Sequence, residues 1–160
     1  MGKTLVLGIG NTLLSDEGVG IHVIDALRDL VPNLATDLHD IELMDGGTLS
    51  FTLADPIQSC QQLIVIDASE LGQKPGCIQV YENESMDHFV TTGNKKSVHE
   101  VSLVDVLSIA LLSGKLPARR ALIGIQPQSI DWGDQPTKSV RDAIPLACQQ
   151  VESLIARWQA

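Results

Sequence analysis

The sequence predicts an open, largely parallel α/β sheet with helices on both faces, on three observations. Short aliphatic runs that end at Gly or Asp alternate with segments of helical period, in the order β-α-β-α-β-β-α-β-α. Aromatic residues make up only 3% of a chain that is 44% hydrophobic, so Leu, Ile, Val and Ala must build the core. That aliphatic bias suits strands buried on both faces. No linker-like, low-complexity or repeated stretch divides the chain, so residues 1–160 read as one domain. A domain of that length buries roughly two-thirds of its unfolded surface and needs no disulfide or metal staple.

Each element has its own signal. Residues 3–9 (KTLVLGI) are an apolar run closing on glycine, a first buried strand. Val19, Val23, Ile24, Leu27 and Leu30 recur at helical spacing over 18–30, and Pro32 stops them. Residues 38–44 alternate as a second strand, closed by Asp45-Gly46-Gly47, and a short helix over 49–54 ends at Pro56. Residues 62–66 (QLIVI) form a third strand terminated by Asp67, and 76–81 form a fourth after the turn Lys74-Pro75-Gly76. The polar stretch 84–97, with Gly93-Asn94, reads as a long loop. A helix over 100–113 stops at Gly114, and a fifth strand follows over 120–125. The last helix, 137–158, takes Pro145 with a kink or a late start.

Charge and composition narrow the function. A formal net charge of −9 has the wrong sign for tracking phosphates, so nucleic acid is not an expected partner. No basic start leads into an apolar run, and the longest apolar stretch, 101–112, carries Ser102, Asp105 and Ser108, so neither a signal peptide nor a membrane span is expected. Cys60, Cys77 and Cys148 lie far apart with no CxxC, which reads as reduced thiols of a cytoplasmic protein.

Ligands of open α/β sheets bind beyond the carboxyl ends of the strands, where the strand order reverses. The sequence gathers acids there: Asp16 and Glu17 after strand one, Asp45 after strand two, Asp67 after strand three. Taken singly, each has a simpler reading. Asp16 and Glu17 favour a helix N-terminus, with Ser15 as its cap. Asp45 before two glycines is turn chemistry, and Asp67 caps a turn. Independent caps, however, need not all cluster at one cleft. His99, at the start of a helix, can reach the same rim; with Glu17 and Asp67 it would supply one imidazole and two carboxylates to a metal with open positions. His22, His39 and His88 have no assigned role.

Other chemistries fail. Gly8-Ile9-Gly10 is followed by Leu13 where a dinucleotide fingerprint needs its third glycine, and no GxxxxGK[ST] occurs, so nucleotide binding is not expected. No GxSxG elbow occurs, and no cysteine sits in a recognisable motif with histidine. Metal, carboxylate or bound water is the plausible agent.

The block GIGNTLLSDEGVG at 8–20 closely resembles the N-terminal signature of the nickel–iron hydrogenase maturation endopeptidases. The resemblance continues, in family order, through DGGT at 45–48, VIDA at 65–68, SVH at 97–99 and LIGIQP at 122–127. It implies a three-layer αβα fold of the phosphorylase/hydrolase-like type, with a mostly parallel five-stranded sheet and one antiparallel strand. The short turn before strand four agrees with that strand being antiparallel. The resemblance also implies an endopeptidase that removes the C-terminal extension of a hydrogenase large-subunit precursor after nickel insertion. Glu17, Asp67 and His99 match the family's metal contacts, and Asp45 matches an aspartate implicated in activity. The nickel would arrive with the precursor. Ser97-Val98-His99 departs from the commoner serine-proline-histidine. The rival readings are a peptidyl-tRNA hydrolase-like esterase, a nickel-sensing chaperone or binding module that cuts nothing, and an unrelated protease of the same fold. The stretch 126–134, with Trp132, either carries partner choice or lets Trp132 cover the core edge.

Overall fold

Aliphatic strands flanked by amphipathic helices assemble as that composition dictates. The computed structural model describes residues 2–30, 32, 40–92 and 101–159. Five strands, β1 (Thr4–Gly8), β2 (Ile41–Asp45), β3 (Gln62–Ala68), β4 (Ile78–Glu82) and β5 (Arg119–Ile125), pair in the order β2-β1-β3-β5-β4. All neighbours are parallel except β4, which runs antiparallel to β5. The short connection from β3 to β4 is what permits that reversal, since a parallel return would need a crossover.

Strand alternation divides the core. Val6, Ile64, Ile66 and Ile123 face α1 (Val19–Leu30) and α5 (Lys138–Gln159); Leu5, Leu7, Leu63 and Val65 face the layer of α2 (Ala54–Gln58), α3 (Glu84–Thr92) and α4 (Leu103–Leu112). One polar pair sits among the strands. The Thr4 hydroxyl donates to Gln62 Oε1 at 2.7 Å, both residues buried, where Thr4 and Gln62 are register partners. Slipping β1 against β3 by one residue would strand both groups and turn every side chain to the wrong face.

Several elements differ from the sequence reading. The stretch expected to be a loop contains α3: Met86, Phe89 and Val90 recur at i, i+3 and i+4 and pack into the second core. Tyr81 of β4 stacks on Phe89 with ring centroids 4.2 Å apart, and Arg120 of β5 grips both carboxylate oxygens of Asp87. Pro56 does not end a helix. A 3-10 turn, Phe51–Leu53, leads into α2, and Pro56 lies in its first turn, where a missing N–H costs nothing. Asp67 does not follow β3 but lies within it, paired with Gly124 of β5. The last helix has no late start, since α5 begins at Lys138 and runs through Pro145. Residues 38 and 39 of the expected second strand, and 100 of the helix expected over 100–113, lie outside the described residues. Among the described residues, no helix is long and apolar enough to cross a membrane.

Candidate active site

The described candidates stand at the carboxyl ends of three neighbouring strands, Asp16 and Glu17 after β1, Asp45 at the end of β2 and Asp67 near the end of β3. Gly8, the last residue of β1, pairs with Asp45 on one side and Ile66 on the other. The chain leaves β1 for β2 on one side and later returns to β3 on the other, so the strand order reverses at β1–β3, where such sheets bind ligands. Main-chain bonds extend the pairing past the strands. Gly46 N–H donates to the Gly8 carbonyl (2.8 Å), Gly10 N–H to Gly47 (2.8 Å) and Ile9 N–H to Ile66 (3.1 Å).

The glycines of the first block serve this packing. A Cβ on Gly20, in the first turn of α1, would overlap the Ile66 carbonyl oxygen and lie 2.6 Å from that of Ile9. Gly10, at φ +143°, would put one onto the Glu17 carbonyl oxygen. Their absent side chains let α1 and the turn before it sit directly on the ends of β1 and β3. This is a backbone-on-backbone fit, and it accounts for glycines that otherwise suggest a phosphate loop.

Glu17 belongs to a 3-10 turn, Ser15–Gly18, that packs against β3. Its N–H is held by the Leu14 carbonyl (3.1 Å), and its side chain is half-buried. Asp67, also half-buried, follows Ile66 on the strand that this turn touches. The Glu17 turn therefore packs on the strand that carries Asp67, beside the β1–β3 junction. Asp45 is set apart. It is exposed, one strand further out, and its Oδ1 accepts the Gly47 N–H (2.8 Å). The turn-chemistry reading of Asp45 thus holds for one of its oxygens. Alternation puts Asp45 on the face of Leu43, toward α1, and Asp67 on that of Leu63 and Val65, toward α2 and α4. His99 and His39 lie outside the described residues; the described chain resumes at Val101 and enters α4 on the Asp67 face. Among the described residues no three His, Cys, Asp or Glu side chains group closely enough to hold a metal ion.

Asp16 departs from its expected part. Ser15 caps no helix: its φ is +52° and its hydroxyl donates to the Asp131 carbonyl (2.7 Å). Asp16 is fully buried and reaches across the chain. Its Oδ2 accepts the N–H groups of Gln128 (2.8 Å) and Ser129 (3.0 Å) and the Thr137 hydroxyl (2.8 Å), while Oδ1 accepts the Thr137 N–H (2.7 Å). Burial pushes its pKa up, but the donors from Ser129, Thr137 and Gln128 outweigh burial and hold it below the ordinary 3.8. The helix N-terminus it serves is that of α5, not α1.

Gln126, noted in sequence only within the 122–127 block and the 126–134 stretch, has a structural part that neither reading gave it. Buried at the end of β5, it accepts the Leu71 N–H at Oε1 (2.7 Å) and donates to Glu70 (3.1 Å), fixing the chain just beyond Asp67. Its one sequence signal was a glutamine directly after five apolar or small residues. Trp132 is 81% exposed, so it does not cover the core edge. One open groove of about 460 Å³ among the described residues lies against Tyr81, Glu84, His88 and Phe89 at the β4 edge. It contains none of the candidate carboxylates.

An open, mostly parallel sheet with acidic residues at its switch point defines the class, an α/β protein with its candidate site beyond the strand ends. The chain belongs to the hydrogenase maturation protease family, whose model matches residues 21–154. The hydrogenase expression/formation protein HupD of Rhizobium leguminosarum bv. viciae is 37% identical over 158 residues, covering 98% of this chain and 75% of that protein. The hydrogenase 2 maturation protease of Escherichia coli K12 is 33% identical, covering 93% of this chain and 88% of that protein. Among solved structures, the hydrogenase maturating endopeptidase HybD from E. coli superimposes with a TM-score of 0.85 at 31% identity, covering 97% of this chain and 93% of that one.

Proposed function

We propose that this protein removes the C-terminal extension of a nickel–iron hydrogenase large-subunit precursor after nickel insertion, in the cytoplasm. The observation that carries the reading is the β1–β3 junction, where the Glu17 turn packs on the strand that holds Asp67. Two carboxylates on a backbone-fixed rim suit a divalent cation that arrives with its own remaining ligands on the substrate. Glu17, Asp67 and His99 would contact that substrate-borne nickel and so orient the scissile peptide. Nickel supplies positive charge beside the reacting carbonyl. Asp45, exposed and with one oxygen anchored by Gly47, suits a general base or a positioning group for water.

Intact-mass analysis of a nickel-loaded precursor tests the reading. Wild type is expected to produce one discrete C-terminal loss that requires nickel. Glu17→Gln, Asp67→Asn and His99→Ala are each expected to slow it about 100-fold or more. Cleavage that persists in the variants keeps the peptidase but overturns the site. A precursor that binds yet is never shortened replaces the peptidase with a nickel-sensing binding module.

A further inference from the structure

We propose that Asp16 is a positioning residue: it fastens the 127–137 loop and the start of α5 onto the turn that presents Glu17. Its effect on cleavage rests on the peptidase reading above; its effect on the loop does not. The side chain is fully buried, and four donors occupy its two oxygens, so it has no surface to offer a substrate. Whatever it contributes must pass through what it holds.

What it holds is one clasp. Asp16 N–H donates to the Ser129 carbonyl (3.0 Å), Ser15 N–H to Gly133 (2.8 Å), and Gly133 N–H returns to Leu13 (3.0 Å). A Cβ on Gly133 would come within 2.8 Å of Ser15 Oγ, so the two segments touch with no room to spare. Leu13, Ser15 and Asp16, all just before Glu17, are thereby tied to a segment more than a hundred residues away. Ser15 is held at φ +52°, a conformation a serine keeps only when its surroundings impose it. Asparagine cannot replace the carboxylate. It has one acceptor oxygen, and its NH2 would face either the Thr137 N–H or the paired N–H groups of Gln128 and Ser129.

Asp16→Asn, Thr137→Val and Thr137→Ser test this, with steady-state cleavage of nickel-loaded precursor and amide hydrogen exchange as the two readouts. In Asp16→Asn, exchange over 127–137 should accelerate about tenfold or more while β1 and β3 stay protected. Its kcat should fall about 50-fold with KM within about threefold, because Glu17 is misplaced while the docking surface is kept. Thr137→Val should lose about fivefold in kcat through its missing donor, and Thr137→Ser should restore it. Wild-type kcat in Asp16→Asn, or a loss with unchanged exchange over 127–137, overturns the proposal. If Asp16→Asn does not fold, the two Thr137 variants decide by the same readouts. If wild type cleaves no precursor, the peptidase reading fails, and exchange alone still judges the clasp.

Discussion

Asp16 and Glu17 are sequence neighbours with opposite fates, one saturated by main-chain donors and the other half-buried at the junction of two strands. Local reading could not separate them. A cap is recognised from its neighbours, whereas the partners of Asp16 lie at 128, 129 and 137 and leave no mark near it. Asp45 and Asp67 were legible as strand-end acids, but the face each occupies depends on where the strand stops. That limit was off by a residue or more for both strands. Two of the three thiols, Cys60 and Cys148, are buried, and Cys77 is half-buried. Burial pushes Cys60 and Cys148 up from 9.0 to about 11, so both stay neutral at physiological pH. Their folded pKa values lie above the unfolded one. The stability they contribute is therefore complete below pH 9 and is lost as pH rises toward 11. Iodoacetamide at pH 8 is expected to label only the half-buried Cys77 in the native protein, and all three in urea. Labelling of Cys60 or Cys148 at the rate of Cys77, read by peptide mass mapping, would contradict this.

Strands were easier to find than helices. The buried runs of β1, β3 and β5 are continuous and aliphatic, which no surface element imitates. By contrast, α3 presents only Met86, Phe89 and Val90 to the core within a polar stretch. Its anchors are tertiary: the Tyr81 ring and the Arg120 guanidinium come from β4 and β5. A helix held by partners on other elements gives a weak periodic signal of its own. The opposite holds for α1, whose first turn is defined by a glycine that nothing can replace. Gly20→Ala should destabilise the chain by about 3 kcal/mol in urea unfolding, because the added methyl meets the backbone of Ile66 in β3 and of Ile9 just after β1. Ala at Gly47, where no atom lies within 4 Å of the added carbon, meets only the strain of its positive φ, about 1 kcal/mol. Equal costs at the two positions would refute the close-approach account.

At the scale of the molecule, topology was the most legible property, because an alternating βα order leaves few arrangements of a right-handed parallel sheet. The structure sets β1 and β3 side by side, and so brings the turn of Glu17 against the strand of Asp67. What sequence could not supply was the second tie across the molecule, from the loop before α5 back to the start of α1. That loop carries Trp132 into solvent at 81% exposure, while the other tryptophan, Trp158, is 8% exposed against the α1–α5 core. The chain thus contains one wet indole and one dry indole, and no third to confuse them. Acrylamide should quench the red-shifted emission of Trp132 and leave the blue-shifted emission of Trp158 nearly untouched. A precursor that settles over the rim should shield the first without altering the second, whereas loss of the fold should expose both. The native polypeptide therefore carries its own two-colour report on docking and on integrity, and neither label needs to be added.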